Sequence, residues 1–218
     1  MHFLITAGGM REYIDPVRFI SNASTGKMGY ALARAALGHQ HTVTLITAPT
    51  GLRPPARAET IHINTSGDMF QAVKTSFPDC DCLVMAAAVS DYTVVRPAKT
   101  KIKKTHARFT LDLKPTQDIL KWAGQHKSSP AYPAQHRKKL IVGFALEDRT
   151  VREQAEKKLR DKQLDMIVAN TPAAIGADQS ALQIKMRGQA WLEFPLEDKT
   201  RHAKRIIQLI SSLTDKAG

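Results

Sequence analysis

Asp15-Pro16-Val17-Arg18-Phe19-Ile20-Ser21-Asn22-Ala23-Ser24-Thr25-Gly26-Lys27-Met28-Gly29 is the stretch of sequence that decides the fold. It follows a short apolar segment at residues 3–7, which ends in Gly8-Gly9, and it leads into a helical pattern of small residues at 30–37. A strand, a polar loop and a helix N-terminus in that order present backbone N–H groups to an anion. Because the loop also carries an asparagine, hydroxyl groups and a lysine, the stretch predicts a nucleotide or phosphate site.

Apolar and helical patterns alternate along the rest of the chain. Segments rich in Val, Ile or Leu predict buried strands at residues 3–7, 42–47, 82–88, 140–144 and 166–169. Helical patterns lie between them at residues 27–37, 69–77, 118–124 and 150–162. The alternation predicts a doubly wound α/β fold with a mostly parallel, Rossmann-like sheet. Residues 182–186 and 190–194 predict a C-terminal antiparallel hairpin, and a last helix is expected over about 199–213, within a single domain spanning 1–218.

The chain of 218 residues carries a formal net charge of +12. Such a charge suits nucleic acid, through counterion release, or an anionic substrate that a cationic cleft concentrates. Much of the excess lies in residues 96–108 and 126–139, which lack apolar periodicity and are interpreted as loops. Neither stretch interleaves aromatic with basic residues, as stacking on single strands requires. We therefore expect no nucleic-acid partner, although a basic nucleic-acid-binding module stays an alternative.

Membrane and metal classes find little support in the sequence. No apolar run approaches the roughly 18 residues of a membrane span, and the N-terminus lacks the layout of a signal peptide. The only cysteines, Cys80 and Cys82, are too close for an unstrained disulfide and lack further Cys or His ligands for a metal. We expect a cytoplasmic protein with no metal site of its own and no membrane partner.

Two common nucleotide-binding motifs are absent. Ser21 and Met28 stand where a Walker A loop needs glycine and Ser or Thr. No GxGxxG follows the first strand, and the second strand lacks the acidic residue that would hold a ribose. A NAD(P)-dependent reductase of similar fold is therefore kept only as an alternative. The predicted strands nevertheless end in small or polar residues, among them Ser90-Asp91 and Asn170-Thr171, where ligands bind in such sheets.

Several motifs taken together resemble phosphopantothenoylcysteine synthetase, an enzyme of coenzyme A biosynthesis. The resemblance covers nearly the whole chain in order. Its motifs are Ile5-Thr6-Ala7-Gly8-Gly9, Ile20-Ser21-Asn22, Gly26-Lys27-Met28-Gly29, Ala86-Ala87-Ala88-Val89-Ser90-Asp91-Tyr92, Lys101-Ile102-Lys103-Lys104, Asp118-Ile119-Leu120, Val142-Gly143-Phe144-Ala145 and Ile167-Val168-Ala169-Asn170. In bacteria this enzyme is often the C-terminal half of a bifunctional flavoprotein. The resemblance is to a stand-alone synthetase, for which a separate phosphopantothenoylcysteine decarboxylase is a candidate partner.

The resemblance implies a ligation in two steps. The carboxylate of 4′-phosphopantothenate attacks the α-phosphate of CTP, which gives an acyl-cytidylate and pyrophosphate. The amine of cysteine then displaces CMP. Both steps develop charge on phosphate or carbonyl oxygens, so positioning and cationic stabilisation should matter more than a protein nucleophile. The resemblance also implies Mg²⁺ with the nucleotide and a homodimer, to which the C-terminal hairpin and the basic flap around Lys101 are expected to contribute.

The resemblance also implies a role for individual residues. Asn22 is expected to hold the acyl intermediate and Lys101 to reach the triphosphate from a mobile flap. The nucleotide-binding set is Ala86, Ala87, Asp91, Lys101, Asp118, Ile119, Phe144, Lys158 and Lys162. The phosphopantothenate-binding set is Gly8, Gly9, Asn22, Ser24, Thr25, Gly26 and Lys27.

Each of these residues also has a structural interpretation. Asn22 and Asp91 are residue types that commonly cap helices or form turns, and Phe144 suits a core position. Lys101 falls in a basic run that solvent alone would satisfy. Lys158 and Lys162 are spaced to share one helical face, which salt bridges could line.

The sequence departs from the family pattern at a few positions. Thr116-Gln117 replaces Asn-Pro before Asp118, which puts contacts from those two side chains in doubt. Met10 replaces threonine and Leu146 replaces a common alanine. None of these changes removes a group that the chemistry needs.

Overall fold

The structure is a computed structural model that describes residues 1–105, 107–129 and 139–215, with side chains to residue 213. Its strands are β1 (His2–Ala7), β2 (Arg11–Tyr13), β3 (Phe19–Ser21), β4 (Thr42–Thr47), β5 (Glu59–His62), β6 (Cys82–Met85), β7 (Tyr92–Val94), β8 (Leu113–Pro115), β9 (Leu140–Leu146), β10 (Met166–Asn170), β11 (Gln179–Met186) and β12 (Trp191–Asp198). Its α-helices are α1 (Lys27–Gly38), α2 (Ser66–Ser76), α3 (Ile119–His126), α4 (Val151–Asp161) and α5 (Lys199–Asp215).

One eight-stranded sheet runs through the molecule in the order β12-β11-β10-β9-β6-β1-β4-β5. The strands from β10 to β5 are parallel, whereas β11 and β12 pair antiparallel at one edge. The predicted doubly wound α/β class, with its C-terminal hairpin, is therefore confirmed. None of the helices in the described ranges is long and apolar enough to cross a membrane.

Each face of the sheet is covered by a separate apolar core. Along β1, Phe3 and Ile5 point to the face that α1 and α5 cover, while Leu4 points to the face that α2, α3 and α4 cover. Successive side chains of a strand alternate between the faces, so a strand buried on both faces reads as an unbroken apolar run. This burial explains why the central strands could be predicted from the sequence.

α1 packs unusually close to β1 because Gly29 has no side chain. A Cβ at Gly29 would lie 2.6 Å from the Ala7 Cβ and 2.8 Å from the Thr6 carbonyl oxygen, inside van der Waals contact. The same close approach fixes the N-terminus of α1 beyond the carboxyl end of β1.

Several element boundaries differ from the sequence prediction. β6 ends at Met85, three residues before the predicted end, because beyond it the chain pairs with the segment after β1 only through an isolated parallel bridge, Gly9 to Ala88. There the Ala88 N–H donates to the Gly8 carbonyl at 2.8 Å. α2 begins at Ser66 rather than at residue 69, because Thr65 and Asp68 form a reciprocal capping box.

The polar loop predicted between β1 and α1 contains a short hairpin, formed by β2 and β3, that the sequence did not predict. Its anchor is Glu12, a buried carboxylate that accepts the Ser66 N–H at 2.8 Å. This N–H lies in the first turn of α2, where the positive end of the helix dipole stabilises an anion. A second unpredicted hairpin, β7–β8, packs beside β2 through β7.

Two further predictions concern the cysteines and the two basic stretches. Cys80 and Cys82 are buried free thiols, and burial raises the pKa of Cys80 to about 12. The described residues from 96 to 108 form no helix or strand, as expected for a loop. In the other basic stretch, His126 is the last residue of α3, and residues 130–138 lie outside the described residues.

Candidate active site

A cavity of about 860 Å³ opens at the carboxyl ends of β6, β9 and β10, beside the N-terminus of α1. This is the position at which doubly wound sheets bind ligands, and the volume suits a small-molecule site. All of the predicted site residues except Gly8, Gly9 and Lys101 line it. The lining set comprises Asn22, Ser24, Thr25, Gly26, Lys27, Ala86, Ala87, Asp91, Asp118, Ile119, Phe144, Lys158 and Lys162.

The Asn22 loop forms one wall of the cavity. The Asn22 Nδ2 group donates to the Val89 carbonyl at 3.3 Å, which ties this loop to the segment after β6. Gly9 lies directly behind the loop, because a Cβ there would be 2.5 Å from the Asn22 carbonyl oxygen. Gly8, with φ +87°, accepts the Ala88 N–H at its carbonyl, which ties the chain after β1 to the segment after β6. The two glycines therefore support the Asn22 loop without lining the cavity themselves.

The N-terminus of α1 adds positive potential to this wall. Gly26 precedes the helix with φ 77°, and no side chain in the described part of the structure caps α1. The first turn contains no acidic residue, so nothing within it offsets the positive end of the helix dipole. Lys27, the first residue of the helix, adds an ammonium group beside the cavity, 2.6 Å from an Asp178 carboxylate oxygen.

A second cationic wall is formed by α4. Lys158 and Lys162 both line the cavity, and the Lys158 Nζ atom lies 3.4 Å from the Phe144 carbonyl oxygen. Burial lowers the pKa of Lys158, and repulsion from Lys162 lowers it further. Lys162 is 2.9 Å from Asp118, whose other carboxylate oxygen accepts the Lys121 N–H and caps α3. An anion between the two lysines would relieve their repulsion.

Asp91 also lines the cavity and is exposed. Its backbone carbonyl accepts the Thr116 N–H at 2.9 Å. The Thr116 hydroxyl in turn donates to the Ser90 carbonyl at 2.6 Å. Thr116 therefore positions the backbone at Asp91, a structural use for one of the two side chains that depart from the family pattern.

Lys101 lies away from the cavity wall because Asp15 holds its segment against the β2–β3 hairpin. The Ile102 N–H donates to the Asp15 carboxylate at 3.1 Å, and Arg18 Nη1 donates to the Ile102 carbonyl at 3.0 Å. Burial alone would raise the pKa of Asp15, but hydrogen bonds from the N–H groups of Val17, Ile102 and Arg18 outweigh it and lower the pKa. The role of Lys101 at the triphosphate stays a prediction.

The cavity also contains residues that the sequence did not predict as site residues. Ile175 and Gly176, after β10, line the cavity together with Lys199, the first residue of α5. No local motif marks these positions. Asn170, by contrast, follows a predicted strand. The rule that ligands bind at the carboxyl ends of strands in such sheets is the signal that identifies it.

Comparison with known proteins identifies a matching family and relatives of similar sequence. The family described as DNA/pantothenate metabolism flavoprotein C-terminal domain matches residues 1–213. The coenzyme A biosynthesis bifunctional protein CoaBC of Bacillus subtilis is 40% identical over 222 residues, covering 100% of this chain and 52% of that protein. The chain thus spans about half the length of this curated relative.

Solved structures agree with this comparison. The crystal structure of the C-terminal domain of a CoaBC protein is 33% identical, has a TM-score of 0.81, and covers 99% of this chain and 96% of that one. A Cab2 H337A variant in complex with phosphopantothenate-cysteine is 17% identical with a TM-score of 0.80, covering 99% and 87% of the two chains. At that identity the second likeness shows the fold alone.

Proposed function

Because this chain belongs to the family of DNA/pantothenate metabolism flavoprotein C-terminal domains, we propose that it is a CTP-dependent phosphopantothenate–cysteine ligase of coenzyme A biosynthesis. One observation carries the proposal. A single cavity brings the Asn22 loop and the N-terminus of α1 together with the cationic pair Lys158 and Lys162. The name of the Bacillus subtilis relative supports the pathway. The bifunctional nature of that relative further suggests a decarboxylase partner, on the same or a separate polypeptide.

The proposed reaction has two displacements. In the first, a carboxylate oxygen of 4′-phosphopantothenate bonds to the α-phosphorus of CTP, and the bond from that phosphorus to the bridging oxygen breaks to release pyrophosphate. In the second, the cysteine amine attacks the acyl carbon, the bond to the phosphate oxygen breaks, and CMP leaves. The amine loses its proton as the amide forms.

The chain would contribute binding, orientation and charge rather than a covalent nucleophile. Asn22 can donate its amide N–H groups to an acyl or phosphate oxygen, and the first turn of α1 offers N–H groups to phosphate. Lys158 and Lys162 would neutralise phosphate oxygens, with Asp91 accepting from the ribose hydroxyls. Preorganised donors of this kind stabilise charge that develops during a reaction.

Mg²⁺ would accompany the nucleotide phosphates in this proposal. The described residues contain no group of three or more His, Cys, Asp or Glu side chains that could hold a metal ion. Mg²⁺ commonly binds through substrate phosphates with only one or two protein carboxylates. The ion is therefore assigned to the nucleotide, where it would offset phosphate charge.

A turnover assay tests the proposed activity. The protein is incubated with 4′-phosphopantothenate, cysteine, Mg²⁺ and one nucleotide, and pyrophosphate is measured. We expect pyrophosphate with CTP and little with ATP, together with one amide product per pyrophosphate. Absence of pyrophosphate with every nucleotide would reject the ligase, whereas release with ATP alone would correct only the choice of base.

We also propose that the chain forms a homodimer through its two small hairpins. Large apolar side chains are exposed on β2–β3 and β7–β8, including Phe19 and Leu113, and Tyr92 is 57% exposed. Such a cluster of exposed apolar residues is typical of an interaction site. Leu196 on β12, in the C-terminal hairpin, is 66% exposed but belongs to neither small hairpin, so we take β2–β3 and β7–β8 rather than the C-terminal hairpin as the proposed interface.

Replacing Tyr92 by Glu is therefore expected to dissociate the dimer. A charge buried at an apolar interface is strongly unfavourable unless it is paired, so the equilibrium should shift to monomer. Sedimentation velocity or light scattering measures the mass, and Leu196→Glu is the matched control that should remain dimeric. A monomeric wild-type protein, or dissociation by Leu196→Glu alone, would contradict this interface.

A further inference from the structure

Lys199 lies at a corner of the cavity that none of the assigned roles explains. It is the first residue of α5, which follows the C-terminal hairpin, and its side chain is half-buried against the cavity. Lys27, at the start of α1, faces the same corner. Two elements that are far apart in the sequence therefore bring their first-turn lysines together.

Asp178 is the carboxylate closest to this pair. The Lys27 Nζ atom lies 2.6 Å from an Asp178 carboxylate oxygen, although the Asp178 side chain is 85% exposed and that of Lys27 is 37% exposed. Lys199 makes no ion pair with Asp178: its Nζ group donates to the Ala174 carbonyl at 3.1 Å. Lys199 contacts Asp178 only through its backbone N–H, which donates to the Asp178 carbonyl at 3.2 Å.

The corner carries more positive charge than its own residues neutralise. Two ammonium groups face one carboxylate, and the uncapped N-terminus of α1 adds the positive end of its dipole. Burial lowers the pKa of Lys199, and the charge of Lys27 lowers it further. The surroundings therefore do not fully stabilise the charged form of Lys199. An exposed ion pair such as Lys27–Asp178 contributes little to stability and is readily exchanged.

A phosphate group matches this corner better than a carboxylate does. It carries a larger charge and has more acceptor oxygens, so it can bond to both ammonium groups and to helix N–H groups at once. Within the described residues, the second cationic pair of the cavity, Lys158–Lys162, lies on α4 and has Asp118 as its own partner. The cavity thus has two separate cationic pairs.

We propose that Lys199 and Lys27 together bind a phosphate group of a substrate, and that Asp178 pairs with the Lys27 ammonium group until the phosphate displaces it. The proposal rests on the proposed ligase function. The phosphate comes from one of two sources: the β and γ phosphates of the nucleotide, or the phosphate ester of 4′-phosphopantothenate. Lys199 would be a binding residue, and Asp178 a competitor that substrate displaces.

Replacing Lys199 by Gln tests the first part. Glutamine can still donate to the Ala174 carbonyl, so the hydrogen bond to the segment before β11 is kept while the charge is lost. Calorimetry would measure the affinities of CTP, CMP, pyrophosphate, 4′-phosphopantothenate and pantothenate. Lys204→Gln, on an exposed position of the same helix, is the matched control and should change none of them.

The two sources give different results. If the corner holds the β and γ phosphates, Lys199→Gln weakens CTP and pyrophosphate by about tenfold or more and leaves CMP unchanged. If it holds the phosphate ester, 4′-phosphopantothenate weakens by a similar factor while pantothenate and CTP do not. Equal loss for every ligand, or no loss for any, would overturn the proposal, because either result means a merely structural lysine.

Replacing Asp178 by Asn tests the second part. Removing the competing carboxylate should tighten the same ligand by about two- to fivefold, the range that an exposed ion pair spans. Weaker binding would show that Asp178 instead holds Lys27 in position, which would refute its role as a competitor. Failure of this inference is distinct from failure of the ligase: wild-type turnover with unchanged affinities in Lys199→Gln rejects only the phosphate corner, whereas absence of turnover rejects the function.

Discussion

Replacing Asn22 by Asp is expected to separate the two half-reactions of the proposed ligase. The first equivalent of pyrophosphate per active site should still be released, while formation of the amide should fall by about a hundredfold, equal to about 2.7 kcal/mol of transition-state stabilisation. The physical reason is charge. The second step develops negative charge on the acyl oxygen, which an amide N–H stabilises and a carboxylate repels. In the first step the lysines and the N-terminus of α1 still face the phosphates.

The measurement compares pyrophosphate with amide product in the same reaction, which reports the split directly. Asn64→Asp is the matched control, because Asn64 is exposed outside the cavity lining and makes its contacts through the backbone. That variant should keep both steps. If Asn22→Asp reduces the two steps equally, its effect comes from the lost bond to the Val89 carbonyl, and Asn22 is only a structural residue of the loop.

Replacing Lys158 by Gln should raise the KM for nucleotide by about tenfold to a hundredfold, with a smaller effect on the KM for cysteine. A hydrogen bond to a charged group contributes about 1.5–3 kcal/mol, and Lys158 is half-buried, where water screens such a bond less than at the surface. The variant also removes a charge whose burial, and whose repulsion from Lys162, lower the pKa of Lys158. The empty protein should therefore not lose stability, which thermal unfolding can check.

Lys157 provides the control on the same helix. It is exposed and pairs with Asp161 at 2.6 Å rather than facing the cavity. Lys157→Gln should leave every KM unchanged. An equal effect of the two variants would mean that the general charge of α4, and not the position of Lys158, attracts the nucleotide.

The central sheet could be predicted from the sequence because burial on both faces leaves an unmistakable pattern. β1, β9 and β10 are mostly apolar, β4 alternates Thr with Val, Leu and Ile, and the starts of all four were predicted to within one residue. β5 was missed because Glu59-Thr60-Ile61-His62 is a half-exposed edge strand with polar side chains. The β2–β3 and β7–β8 hairpins were missed because strands of three residues are too short to show a period.

The site was predictable where a local motif marks it and unpredictable where tertiary contacts create it. Asn22 and Asp118 belong to motifs that carry the resemblance, Lys158 was assigned by the same resemblance, and the structure brings the three to one cavity. Lys199 has no such motif, since only the return of β11 and β12 places α5 beside α1. The Lys101 segment is likewise held by a long-range hydrogen bond, from the Ile102 N–H to Asp15. No sequence pattern predicts this contact.

Oxygen transfer tests the central claim most directly. The experiment uses 4′-phosphopantothenate labelled with ¹⁸O in its carboxylate, with CTP, cysteine and Mg²⁺, and mass spectrometry of the products. If the carboxylate attacks the α-phosphate, one labelled oxygen must leave with CMP, because the bond to the acyl carbon breaks when the amide forms. The account predicts singly labelled CMP and unlabelled pyrophosphate. Label in inorganic phosphate or pyrophosphate, or unlabelled CMP accompanying amide product, would contradict it.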